Sequence, residues 1–251
     1  MPEGDTIFRT AAELRSALEG KRVVGAQPEG LKRLTGTTVS AVEPVGKHLV
    51  IRFDNGLALH SHMRMRGVWQ VYKPGERWRR PAWQVRAALE TADSVAVCFN
   101  APVVELVRDV ASRVGHLGPD ILAEDWSLSE AVGRARKFDG TPIGEVLLDQ
   151  RVVAGIGNVY RCESLWSTRV NPWKPVRELD DEALGALLET ARQAMRANSS
   201  GDFRRRFPGY GRGAVHGRGG RPCPRCQTPI RVRAMGEHAR LVYWCPKCQP
   251  A

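Results

Sequence analysis

Long apolar runs are missing from this 251-residue chain; none approaches the roughly 20 residues that a helix needs to cross a bilayer. The N-terminus also lacks the basic and then apolar order of a secretory signal, with Glu3 and Asp5 standing where basic residues should. Both absences predict a cytoplasmic protein with reduced thiols. Acids are scarce where bases gather. The whole chain holds 38 Lys or Arg against 27 Asp or Glu, a net +11. From residue 201 onward eleven Lys or Arg face only Asp202 and Glu237, a net +9. A surplus collected in one region points to a polyanionic partner, nucleic acid before membrane. Internal repeats are absent too, and a hydrophobic content of 42% excludes disorder throughout.

Asp5 is predicted to cap a helix in which Ile7, Ala11, Leu14 and Leu18 recur at helical spacing, with Gly20 as its stop. Residues 23–24 and 37–42 read as strands. The clearest local signal is 48–53, then Asp54-Asn55-Gly56, then 57–62, where Asn-Gly separates two alternating apolar runs. With Asn55-Gly56 as a two-residue loop, Leu49 faces His62 and Lys47 faces Arg64. A second hairpin is predicted over 83–90 and 95–99, and short strands at this spacing suggest a β-sandwich. After Gly118-Pro119-Asp120 the strand pattern stops, and 122–129 reads as a linker. Helices are predicted over 129–138, 143–149, 158–167 and 179–197. The Gly- and Arg-rich residues 201–221 predict a mobile loop.

Four groups of residues carry chemistry. Removal of Met1 exposes a secondary amine at Pro2, which can attack a carbonyl-like carbon and form an iminium. Its class has a pKa near ~8, and Glu3 is the adjacent proton partner. A small residue after the initiator often serves methionine removal alone, and this pair does not separate the two readings. Cys223-x-x-Cys226 and Cys245-x-x-Cys248, eighteen residues apart, have the spacing of a four-thiolate zinc site. The set is complete, so one Zn2+ is expected as a structural ion with no position open for catalysis. Cys98 and Cys162 remain, Cys98 in an apolar strand. Gly155-Ile156-Gly157-Asn158 precedes a helix, where backbone N–H groups and a capping Asn158 suit a phosphate. Arg231, Arg233, Arg240 and Lys247 lie on the cysteine-rich module, and Arg240 beside its turn reaches furthest. Finally, His62-Met63-Arg64-Met65-Arg66-Gly67 offers an apolar wedge flanked by cations, which a protein needs to fill a duplex after a base is extruded.

Together these residues resemble the formamidopyrimidine-DNA glycosylase/endonuclease VIII family of base-excision repair enzymes over nearly the whole chain. The resemblance rests on Met1-Pro2-Glu3-Gly4, Gly46-Lys47, residues 62–69, 147–150 through Gly157-Asn158, and the four-cysteine finger with Tyr243-Trp244-Cys245. The Ser61-His62, Gly67-Val68-Trp69 and Leu148-Asp149-Gln150 forms look closer to the endonuclease VIII branch. It implies an α+β multidomain fold: an N-terminal β-sandwich with flanking helices (1–122), a helix–two-turn–helix domain (123–210) and a zinc finger (211–251), with DNA between the halves. Pro2 matches the nucleophile at C1′, Glu3 the acid that helps open the sugar, and Lys47 the lysine that binds phosphate and assists catalysis. His62, Asn158 and Arg240 match residues that pinch the DNA backbone, and Arg64, Met65 and Arg66 occupy the void-filling positions. The implied activity is base removal, oxidised pyrimidines foremost, and cleavage of the abasic site by β,δ-elimination through a Schiff base. The implied setting is a nucleoid-associated monomer acting on damaged double-stranded DNA, with no membrane and no small-molecule cofactor. Two other readings stand beside it: an 8-oxoguanine/formamidopyrimidine-type glycosylase, and a non-catalytic zinc-finger DNA-binding protein. Where many members continue Pro-Glu-Gly-Pro-Glu, this chain has Asp5-Thr6, so a carboxylate at the sixth position has no counterpart.

Overall fold

The computed structural model describes residues 2–199 and 213–251. The chain divides into two compact units, Met1–His116 and Leu117–Ala251.

The first unit is a β-sandwich fronted by a helix. Helix α1 (Gly4–Leu18) turns Ile7, Ala11, Leu14 and Leu18 inward, all essentially without exposure. Strands β1 (Gly25–Gln27), β6 (Val85–Glu90), β7 (Val95–Phe99) and β5 (Val68–Tyr72) form one sheet in that order. Strands β2 (Val39–Val45), β3 (His48–Phe53), β4 (Ala58–His62) and β8 (Val103–Val107) form the other. Leu49, Ile51, Phe53 and Leu59 from the second sheet meet Trp69, Ala87, Leu89, Ala96 and Cys98 from the first, under the apolar face of α1. Burial pushes the Cys98 thiol up to about 12, so it is an inert packing residue. The alternate residues of β3 and β4 leave the core; Val50 and Ala58 pack there with Val110, just ahead of the short helix α2 (Ala111–Val114).

Three predicted details of this unit are corrected. Asp5 is not the cap of α1: Glu3 is extended and its carbonyl accepts the N–H groups of Thr6 and Ile7, which leaves Asp5 within the first turn. Residues 82–84 form a single 3-10 turn, so the strand begins at Val85 rather than at Trp83. The third is the β3–β4 register, where Leu49 faces Ser61 and His48 faces His62. The loop holds three residues, Asp54-Asn55-Gly56, because Phe53 N–H donates to the Leu57 carbonyl and Gly56 takes φ +76. A one-residue slip moves every side chain to the other face.

The second unit is helical with a small hairpin. Helix α3 (Leu128–Arg136) is capped by Ser127, whose hydroxyl accepts Glu130 N–H at 3.2 Å. The short α4 (Ile143–Val146) and α5 (Asn158–Ser167) follow, and α3 and α5 both pack on α6 (Asp181–Ser199). Strands β9 (Arg231–Met235) and β10 (Arg240–Trp244) pair antiparallel. Cys223, Ile230, Val242 and Cys245 of this hairpin module share one apolar cluster with Cys162 and Trp166 of α5. The predicted mobile loop falls mostly on 200–212, outside the described residues. Its continuation is ordered by burial: Ala214 and Val215 are fully enclosed.

Candidate nucleic-acid interface and metal centre

Helix α1 determines where Pro2 and Glu3 lie. Gly20 N–H donates to Val39 O at 2.9 Å, and Arg15 Nε donates to Val42 O at 3.0 Å. The helix therefore runs antiparallel to β2, and its front end lies toward the Gly46-Lys47 turn that links β2 to β3. Pro2 is half-buried, whereas Glu3 is only 3% exposed. Gly46 takes φ +57 at the first central position of that two-residue turn, and Lys47 follows it half-buried.

The corrected register assembles a histidine cluster. His48, His60 and His62 share the face of the sheet that looks away from the core. His48 Nδ1 and His60 Nε2 are 2.8 Å apart, and the His48 and His62 rings meet edge-on with centroids 4.6 Å apart. His60 Nδ1 lies 3.9 Å from Glu105 on β8. Burial first, then the neighbouring His62, His60, His116 and Lys47, lower the His48 pKa to about 3. Burial, then Arg64 and Lys47, lower that of His62 to about 4. Neutral His62 accepts Arg64 N–H on Nδ1 at 3.1 Å, which leaves its proton on Nε2 as a donor. Lys47, His62 and Arg64 are thus neighbours, as predicted, although Lys47 sits in the turn rather than opposite Arg64.

Residues 63–67 form a tight turn that presents Arg64, Met65 and Arg66 to solvent. Met63 is buried, Gly67 N–H donates to Met63 O at 2.8 Å, and Trp69 Nε1 donates to Ser61 Oγ at 3.1 Å. A Cβ on Gly67 would lie 2.6 Å from Met63 O, so the turn closes only on glycine. Arg64 takes φ +44, a conformation uncommon outside glycine and held here by the closed turn. Met65 is 63% exposed.

The second unit joins Asn158 to Arg240. Gly157, not Asn158, is the N-cap of α5. Gly155 takes φ +105 to bring the chain there, and Gln150 spans the loop, donating to Ile156 O and accepting Gly155 N–H, both at 3.1 Å. The Asn158 amide is thereby released from capping and donates to Leu241 O at 3.0 Å. Arg161, 1% exposed, donates to Leu241 O at 3.1 Å, and also contacts Asn158 Oδ1. Arg240 itself opens β10 opposite Met235 and is exposed. Glu163, fully buried one helical position further on, accepts the N–H groups of Ala214, Val215 and His216 at 2.7–2.9 Å. Burial raises its pKa, and these three donors oppose that rise. Sequence reading had singled out neither Arg161, Glu163, His48 nor His60. A charged residue inside an amphipathic helix carries no mark of burial, and the histidine cluster depends on a register that the loop sequence leaves ambiguous.

The donor set of a metal centre is complete in the finger. The sulfurs of Cys223, Cys226, Cys245 and Cys248 all lie within 4.8 Å of one another. Cys226 to Cys245, Cys226 to Cys248 and Cys223 to Cys248 are 3.4, 3.5 and 3.9 Å apart. A tetrahedral zinc with Zn–S near 2.3 Å requires S···S edges of about 3.8 Å. Trp166 Nε1 points to Cys223 Sγ at 3.4 Å and supplies an outer hydrogen bond. In the bare thiol cluster, burial and then the other thiols push Cys248 up to about 12. Four ionised thiolates in this volume require a dication, so the residues fit one structural zinc ion.

Comparison with known proteins agrees with this geometry. Residues 1–102 match the formamidopyrimidine-DNA glycosylase N-terminal domain, and 117–202 match the formamidopyrimidine-DNA glycosylase H2TH domain. The chain belongs to this family. It is 44% identical over 260 residues to a Streptomyces coelicolor protein called "Probable endonuclease 8 2", covering 99% of this chain and 94% of that one. It is 38% identical over the full length of both chains to a Mycolicibacterium smegmatis protein called "DNA-(apurinic or apyrimidinic site) lyase Nei2". Its fold is similar to a solved structure of MutM in complex with carbocyclic 8-oxo-G containing DNA, with a TM-score of 0.83, 23% identity and full coverage of both chains. The endonuclease VIII-like branch expected from Ser61-His62 and Leu148-Asp149-Gln150 agrees with the names of these sequence relatives. The family's H2TH domain thus contains Gly155 to Asn158, and its N-terminal domain contains Pro2, Lys47 and the wedge turn.

Two measurements test this geometry. The unfolded chain titrates its histidines near 6.5, whereas folded His48 and His62 titrate at about 3 and about 4. Between those limits the unfolded state binds more protons, so stability is complete above pH ~6.5 and declines as pH falls toward ~4. The urea midpoint should drop across that window, and His48→Gln should make the drop shallower; an unaltered slope contradicts the cluster. For the metal, Cys245→Ala or chelation should remove one zinc per chain and expose residues 213–251 to protease. The N-terminal unit should still melt cooperatively. Unchanged zinc content contradicts the assignment.

Proposed function

We propose that this chain is a bifunctional DNA glycosylase and abasic-site lyase that removes oxidised bases, pyrimidines foremost, through the Pro2 amine. The observation that carries the reading is the front of α1: Pro2 followed by a Glu3 only 3% exposed, both fixed by a helix buried along its length. Family membership and relatives called endonuclease 8 and abasic-site lyase support the reaction class. The pyrimidine preference rests on likeness to the endonuclease 8 relatives.

A base within a duplex must leave the stack before its glycosidic bond can be reached. Met65 fills the vacated space, with Arg64 and Arg66 beside it. The Pro2 nitrogen bonds to C1′ as the glycosidic electron pair leaves with the base, and Glu3 protonates the ring oxygen as the sugar opens. Loss of the ammonium proton gives an iminium. That cation acidifies the C2′ protons, so β-elimination expels the 3′ phosphate, and δ-elimination then releases the sugar. Lys47 and the Nε2–H of His62 bind phosphate on the first unit, and Asn158 and Arg240 do so on the second. Zinc folds the finger and takes no part in these steps.

A non-cleavable N-terminal extension should abolish borohydride trapping on abasic DNA together with strand cleavage, while DNA affinity stays near wild type. Glu3→Gln should separate the steps: base excision falls at least ~100-fold, and cleavage of preformed abasic sites largely persists. If the extended protein traps normally, the nucleophile is another amine, Lys47 first.

A further inference from the structure

Trp83 is 79% exposed, more than any other large apolar side chain among the described residues. It covers nothing in the fold, and a lone aromatic held in water marks a contact surface rather than a core. Its surroundings are cationic. Arg77, Arg79, Arg80 and Arg86 lie around it in the chain, and Glu76 is the only acid from Lys73 to Leu89. Those four arginines form no ion pair among the described residues. Trp83 is also held in place: the residue sits in the middle of the 3-10 turn Ala82–Gln84, behind Pro81. The β6–β7 ladder shifts register between Val85 and Ala87, so Arg86 is the extra residue of a β-bulge, a device that re-aims a side chain.

The topology places this patch beside the wedge turn. Val68 and Val85 both pair with Phe99, so the starts of β5 and β6 and the end of β7 share one end of the sheet. Immediately beyond that row stand Arg66-Gly67, Gln84 and Asn100. Asn100 joins Gln84 through its N–H to Gln84 O at 2.9 Å and its amide to Gln84 Oε1 at 2.7 Å. A Cβ on Gly67 would lie 3.0 Å from Ala101 Cα. Strands β5 and β6 flank β7, so the wedge turn and Trp83 emerge two strand spacings apart, about 10 Å.

We infer that Trp83 is a stacking platform for an unpaired DNA base next to the extruded nucleotide, with Arg80 and Arg86 on the adjoining phosphates. A ring of this kind binds any base by its face, and flanking arginines supply charge complementarity to the strand. The inference rests on the glycosylase reading and extends it to substrates opened around the lesion.

The test compares two probes carrying a tetrahydrofuran abasic analogue: one fully paired elsewhere, one with mispaired neighbours. Trp83→Ala should weaken binding to the opened probe about tenfold, within the range measured for base–aromatic stacking, and the paired probe much less. Trp83→Phe should keep wild-type affinity, and Arg86→Gln should weaken both probes and flatten the salt dependence. Melting temperatures should be unchanged, because Trp83 supports no core. Equal affinities of wild type and Trp83→Ala on the opened probe overturn the inference, as does an equal loss on both probes. Borohydride trapping by wild type on paired abasic DNA separates the two failures. Its absence overturns the glycosylase reading and this inference together, whereas normal trapping without a Trp83 effect overturns this inference alone.

Discussion

A nucleophile at the end of a chain has nothing ahead of it to hold it still. Whatever fixes it must come after it, and in this protein that is α1. Ile7, Ala11, Leu14 and Leu18 bury one stripe of the helix under both sheets, while Arg15 and Glu19 tie its far end to β2. Burying four such side chains contributes several kcal/mol, far more than is needed to immobilise two residues ahead of the first turn. On the proposed mechanism, that anchoring makes a terminal amine as well placed as an internal lysine. It also sets the direction of Pro2 and Glu3, toward the Gly46-Lys47 turn.

The second sheet adds a polar counterpart to this anchor. Its inner face is apolar, and its outer face carries His48, His60 and His62 in mutual contact. Burial and mutual repulsion hold His48 and His62 neutral, so the positive charge near the turn comes from Lys47 and Arg64. The helical unit solves a similar problem with buried ions. Arg161 and Glu163 are enclosed and fully engaged, one holding the finger strand at Leu241 and the other gathering three backbone N–H groups at 214–216. Removing either partner would strand a buried charge, a costly change.

Much of this was legible in the sequence, and the reasons are local. Two Cys-x-x-Cys pairs define a donor set whatever fold surrounds them, and the apolar spacing of α1 defines its buried face. The limits of α5 were read directly because Gly157 stops one element and Asn158 opens the next. Misreadings came where two local rules compete. Asp54-Asn55-Gly56 fits a two-residue or a three-residue loop, and tertiary pairing decided for three, moving every partner by one. Asp5 and Asn158 are good capping residues, yet Glu3 and Gly157 hold the cap positions. Arg161 and Glu163 were invisible because their burial depends on contacts 50 to 80 residues away. Strands β5 and β8 were not singled out in the sequence, and pairing with β7 and β4 defines them.

The central claim is that the Pro2 nitrogen bonds to the sugar. The most direct measurement is to reduce the protein–DNA complex with borohydride, digest it, and locate the sugar adduct by mass spectrometry. The account predicts the adduct on the peptide beginning at Pro2, with Met1 absent and the bond at the proline nitrogen. An adduct on Lys47, or on any other side-chain amine with Pro2 unmodified, contradicts it.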